Sequence, residues 1–185
     1  MMTIDDMLSE VAKITNSAPT HTPEEKNRPE PLTENAVHID LNEIKSLKTK
    51  PYLSLSLAKE IIYCIGKGAE KFGINAVISV VNADGNLIAL EAMDNSYLAS
   101  IRASQDKAYT AAALKMPTHE ALKESRGGIF DGLTNGNGIF LLGGGYPLVA
   151  GDTLVGAIGV SGGTKDEDIM LSKLGVLYFN EKITQ

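Results

Sequence analysis

Four side chains hold most of the site chemistry available to this 185-residue chain: His119, Cys64, Tyr109 and Lys107. His119 follows Pro117-Thr118 at the start of a short helical segment, where a neutral imidazole can ligate a transition metal. A lone histidine there serves equally well as a surface or capping residue. Cys64 is the single cysteine; its thiolate could bind a metal, but it falls on an apolar helical stripe, where a free cysteine acts as a small core residue. Tyr109 also lies on an apolar helical face, so packing is its default role and its hydroxyl needs a partner. Lys107 sits in the Ala-rich run Lys107-Ala-Tyr-Thr-Ala-Ala112. It could bind the carboxylate of a ligand or a neighbouring subunit, or snorkel to the surface.

Two further patterns suggest anion or cation binding and are weaker. Gly159-Val-Ser-Gly-Gly163 leads from a strand into a helix, a junction that can present free N–H groups to an anion. Asp166, Glu167 and Asp168 follow in the first helical turn, where they complement the helix dipole and repel a phosphate or carboxylate. A tight turn that needs glycine is the preferred reading. The three carboxylates diverge around the helix axis, so a solvated helix start is favoured over a divalent-cation site. No paired general acid and base, and no nucleophile beside an oriented histidine, emerges from these motifs; the chain does not read as an enzyme. His21 and His38 fall in or near a linker, away from any rigid element.

The elements that would position these residues follow from periodicity. Leu57, Ile61, Cys64, Ile65, Gly68 and Phe72 form one helical stripe, with Ser54 or Ser56 as cap and Gly73 as stop. Ala76–Asn82 and Leu87–Met93 flank Asp84-Gly85, a strong hairpin signal. Leu98, Ile101, Ala108, Tyr109, Ala112 and Ala113 set the stripe of a second helix over 96–115, and Pro117-Thr118 starts a short third helix to about Ser125. Three apolar runs, 139–142, 146–150 and 153–161, predict three more strands. Thr164-Lys-Asp-Glu167 is a capping box opening a final helix. The order favours an α/β (α+β) domain with a five-stranded, mostly antiparallel sheet flanked by helices.

Composition narrows the partners. A net charge of −6 and a pI near 5.1 oppose binding to nucleic acid or an anionic membrane. One cysteine and the absence of a membrane-length apolar run or a leader pattern predict a cytoplasmic protein. Residues 1–14 place Ile4, Met7, Leu8, Val11 and Ile14 at helical spacing, an amphipathic helix too short to be stable alone. Residues 15–50, with Pro19, Pro23, Pro29 and Pro31, predict a solvated linker. The folded domain is expected over 51–185.

Lys107-Ala-Tyr-Thr-Ala-Ala112, Met116-Pro-Thr-His-Glu120, Gly143-Gly-Gly-Tyr-Pro147 and Val155-Gly-Ala-Ile-Gly-Val-Ser-Gly-Gly163, in that order, resemble the GlcG/HbpS family. The Thr-His-Glu segment is most similar to the C-terminal domain of the propanediol-utilisation corrinoid adenosyltransferase, whose catalytic domain has no counterpart here. The resemblance implies a profilin-like sandwich and a homo-oligomer as large as an octamer. It also implies binding of haem or, as the second choice, a corrinoid. His119 is then the candidate metal ligand, with Lys107, Tyr109 and Cys64 as further cofactor contacts. Some family members place a histidine near the start of the first domain helix; here that stretch is Ser54-Leu-Ser-Leu-Ala-Lys59. The implied role is an accessory protein of a cobalamin-dependent diol or glycerol pathway, with residues 1–14 docking it as cargo on a bacterial microcompartment shell. The competing reading is an oligomeric interaction protein that binds no tetrapyrrole.

Overall fold

The computed structural model describes residues 51–184. The chain divides into two units, Met1–Lys48 and Thr49–Gln185, and the described residues belong to the second. The helix expected over 1–14 and the linker over 15–50 lie outside the described residues.

Helix α1, Leu55–Phe72, starts where Ser54 Oγ accepts the Leu57 N–H at 3.2 Å. It stops at Gly73, whose left-handed φ of 69° lets Gly73 and Ile74 N–H cap the Glu70 and Ala69 carbonyls. Strands β1, Val77–Asn82, and β2, Leu87–Ala92, form the expected hairpin. At its turn Asn82 Oδ1 accepts the N–H groups of Asp84 and Asn86, and Gly85 takes a φ of 81°. Helix α2 spans Leu98–Leu114 and the short α3 spans Thr118–Glu124. Strands β3, Gly145–Ala150, and β4, Thr153–Ser161, precede the last helix, α4, Lys165–Thr184. The predicted capping box opens α4: Thr164 N–H donates to Glu167 Oε2 at 2.6 Å, and Glu167 N–H donates to Thr164 Oγ1 at 3.3 Å.

The sheet has four strands among the described residues, in the order β2-β1-β4-β3 and antiparallel throughout. The fifth strand expected at 139–142 does not form. Side chains satisfy its backbone instead: Phe140 N–H donates to Thr110 Oγ1 at 2.8 Å, and Leu141 N–H donates to Asn135 Oδ1 at 2.8 Å. Leu142 O accepts from Thr118 Oγ1 at 2.6 Å. An apolar run whose N–H and C=O groups are taken by side chains has none left for a ladder.

The two faces of the sheet are built differently. One face buries Ile78, Val80, Ile158 and Val160 against Ile61, Ile62 and Ile65 of α1 and Leu171 and Phe179 of α4. The other presents Ser79, Ala157, Gly159 and Ser161 to α2. A Cβ at Gly159 would strike Ser104 O and Ala108 N, and one at Gly145 would strike Lys107 O. Glycine is therefore what lets α2 approach so closely. The residues α2 buries are Ser100, Ser104, Lys107, Ala108, Thr110, Ala111 and Ala112; of the apolar set expected from the sequence only Ala108 and Ala112 are among them. Leu98 is 83% exposed and Tyr109 38%. Against a strand of Gly and Ala, small side chains pack where large ones would clash.

Candidate functional site

Lys107 is fully buried on the sheet-facing side of α2. Its Nζ donates to Val160 O at 2.9 Å and to Asp168 Oδ2 at 2.6 Å. The carboxylate it meets thus comes from α4 of its own chain, and it does not snorkel. Asp168 departs from the solvated helix start read from the sequence, because Asp166 and Glu167 face outward while Asp168 turns in. Its Oδ1 accepts the Gly163 N–H at 3.0 Å. Ser172 Oγ donates to Gly144 O at 2.6 Å beside the pair, and a Cβ on Gly144, which has a φ of 114°, would press on both Asp168 and Lys107. Burial pushes Lys107 below its ordinary range and Asp168 above its own, and each is held back by the other's charge and hydrogen bond. This network ties α2 to α4 around the open end of β3, and every polar group in it that is named here has a partner.

His119 occupies the first turn of α3, with its ring 5.7 Å from that of Tyr146 on β3 and tilted by 36°. Its side chain is 20% exposed, yet Nδ1 is buried and has no hydrogen-bond partner among the described residues. Nε2 lies 3.8 Å from Glu120 Oε1. Burial lowers the imidazole pKa, Glu120 opposes this, and the ammonium groups of Lys123, Lys173 and Lys165 add to it. The ring is thus biased towards its neutral, metal-ligating form, in a positive field.

Tyr109 half-faces a concavity of about 330 Å³ that Arg102, Asp106 and Asn137 also line. Its ring is held between the Gly85 and Gly138 turns, where a Cβ would approach it to 2.7 and 3.2 Å. Arg102 Nε donates to Asp106 Oδ2 at 2.9 Å on the rim. Cys64 is partly buried on α1, and desolvation, then Glu181, raise its thiol pKa, which disfavours the thiolate a metal would need. The four predicted residues therefore do not converge on one site. Lys107 points into the domain, Tyr109 lines a cavity against the hairpin, and His119 and Cys64 belong to separate elements. No group of three or more His, Cys, Asp or Glu able to hold a metal occurs among the described residues.

These features sit on a recognisable scaffold. The family described as haem-degrading protein HbpS-like matches residues 53–176. The chain belongs to that HbpS-like family. It is 34% identical over 132 residues to a protein from the dhaT-dhaS intergenic region of Citrobacter freundii, covering 70% of this chain and 93% of that one. It is 29% identical to the corrinoid adenosyltransferase PduO of the same organism, covering 76% of this chain but only 43% of PduO. Among solved structures, Klebsiella pneumoniae ORFY superposes with a TM-score of 0.68 at 32% identity, covering 74% of this chain and 95% of ORFY. A PduOC:heme complex superposes with a TM-score of 0.65 at 27% identity, covering 69% and 95%. The HbpS-like family therefore shares the α+β fold described above. Ser172 was not singled out from the sequence, Gly144 was seen only within its glycine-rich motif, and Asp168 was read as part of a solvated helix start; the polar Lys107 amid small residues was the available signal, but its partner lies 61 residues away.

Proposed function

We propose that this chain is a haem-binding accessory protein and that it takes haem on the face carrying His119. The observation that carries the reading is the state of that ring: neutral-biased, one-fifth exposed, with a buried and unpartnered Nδ1. A neutral imidazole is an iron ligand, and since Nδ1 is buried the nitrogen that would hold haem iron is Nε2, on the side of the exposed Glu120 carboxylate. The Tyr146 ring lies beside the imidazole, with centroids 5.7 Å apart. The ammonium groups of Lys123, Lys165 and Lys173, whose field reaches the imidazole, suit the negative propionates. Bound haem would supply an iron centre whose ligation and potential the surrounding side chains tune. The solved PduOC:heme complex supports the reading.

The relation to PduO supports a finer one, in which the protein assists cobalamin-dependent diol or glycerol metabolism inside the cell and residues 1–14 direct it to a microcompartment shell. Co-sedimentation with shell proteins that is lost on deleting residues 1–14 tests the targeting. Haemin titration followed at the Soret band tests the binding: a saturable shift that His119→Ala abolishes and Cys64→Ala and Tyr109→Phe preserve is the expected result. No saturable shift in the wild type would sink the haem reading. The protein would then be an oligomeric interaction module, and the same titration with a corrinoid would be the next measurement.

A further inference from the structure

The concavity beside the β1–β2 turn lies on other elements than the His119 face. Helix α2 supplies Arg102, Gln105, Asp106 and Tyr109, spaced so that they share one side of the helix. The β1–β2 turn and the Asn137-Gly138 turn close the other sides, where Gly85, Asn137 and Gly138 take left-handed φ values of 81°, 50° and 83°. Hydrogen-bonding capacity is left over there. Arg102 uses Nε on Asp106 Oδ2 at 2.9 Å, and Gln105 uses its amide nitrogen on Ile101 O at 3.2 Å. The terminal nitrogens of Arg102, Asp106 Oδ1, the Tyr109 hydroxyl and the side-chain amides of Asn86 and Asn137 have no partner among the described residues. The apolar part of the lining is Val81, Leu87 and the Tyr109 ring.

We propose that this concavity binds a neutral cyclic polyol of monosaccharide size. Its volume of about 330 Å³ is at the lower end of the roughly 300–1,000 Å³ typical of small-molecule pockets, which suits a single ring. Charge selects against an ion. Arg102 and Asp106 are the only charged lining residues and stand as a pair, so an anion drawn to the guanidinium also meets the carboxylate, and a cation meets the reverse. A hydroxyl group suits both, because one oxygen accepts from a terminal N–H of Arg102 while its proton is donated to Asp106 Oδ1. The amides of Asn86 and Asn137 offer donors and acceptors to further hydroxyls. The C–H face of a sugar ring matches the apolar surface of Tyr109 and Leu87. An exposed Arg–Asp pair adds little to stability, so recognition accounts for the arrangement better than folding does. The proposal does not rest on haem binding, since none of these residues belongs to α3.

Amide chemical-shift titration of the full chain with D-glucose, D-galactose and D-mannose tests it, with circular dichroism confirming the fold of each variant. At least one of the three sugars is expected to give saturable shifts confined to residues 85–87, 102–109 and 137–138. Acetate, methylammonium and glycine, as anionic, cationic and zwitterionic probes, are expected to give none there. Asp106→Ala should weaken sugar binding at least about tenfold, as the loss of a hydrogen bond to a charged group does. It should also let acetate bind, because Arg102 is then without its counter-charge, a gain that a merely structural role for Asp106 would not produce. Asn137→Gly keeps the left-handed turn, removes the amide and should weaken the sugar several-fold. Absence of a saturable shift with all three sugars overturns the proposal. So does binding that neither variant weakens, or a charged probe that saturates these amides in the wild type.

Discussion

Removing one partner of the Lys107–Asp168 pair should destabilise the domain far more than removing both charges together. The side chains are 1% and 4% exposed and 2.6 Å apart, so Asp168→Asn leaves an ammonium in a cavity where Val160 O is the other recorded acceptor. Breaking a buried pair in this way costs about 3–5 kcal/mol, a large part of the roughly 5–15 kcal/mol that holds a domain together. Lys107→Met should cost a similar amount, less whatever Asp168 recovers by taking up a proton. In the double variant, the amide introduced at 168 still accepts the Gly163 N–H, and no buried charge is left without its partner. Its cost should be no greater than that of either single change, an interaction energy of about 3 kcal/mol in a double-mutant cycle. Urea denaturation of the four proteins measures it. Asp168→Asn also carries a pH signature. Without the carboxylate, burial lowers the folded-state Lys107 pKa further beneath its unfolded value, so the unfolded chain binds more protons across that window. The stability of that variant should therefore rise with pH from neutrality towards the ordinary lysine range, more steeply than in the wild type. Single costs that add within about 0.5 kcal/mol, or a Lys107→Met variant as stable as the wild type, would refute the account of this network.

Two further outcomes follow from the packing and from the ring on α3. Gly159→Ala should cost at least about 1–3 kcal/mol in urea denaturation, because its Cβ meets backbone atoms of α2 that have nowhere to move. Gly66→Ala, mid-helix with nothing within 4 Å, should instead stabilise by about 0.5–1 kcal/mol. Equal effects at the two glycines would mean that α2 does not rest on β4 as closely as described. For His119 the folded-state pKa lies below the unfolded 6.5, so the unfolded chain takes up the proton first and stability falls as pH drops through that value. His119→Gln should flatten the melting temperature against pH between neutrality and the folded pKa, and an unchanged slope would count against the buried ring.

Much of the framework could be read locally. The Ser54 cap, the Gly73 stop, the Asp84-Gly85 hairpin and the Thr164–Glu167 box each involve residues within a few positions of one another, and their chemistry is set by neighbours along the chain. The α1 stripe was legible in part: Ile61 and Ile65 are buried against the sheet as hydrophobicity predicts, but Phe72 is 58% exposed, and Ala58, Ile62 and Ala69 complete the buried side instead. The motifs around 107–120, 143–147 and 155–163 also pointed correctly to the HbpS-like family. Tertiary structure decided the rest. The buried side of α2 is Ser, Ala, Thr and Lys because Gly159 and Gly145 bring the helix too close for large apolar residues, and hydrophobicity along α2 gives no sign of that. The segment at 139–142 has a strand's composition, yet Thr110 and Asn135 claim its N–H groups. Asp168 looks like its two acidic neighbours in sequence. It alone is buried, because the chain brings α2 and α4 together at the open end of the sheet and a lysine waits there.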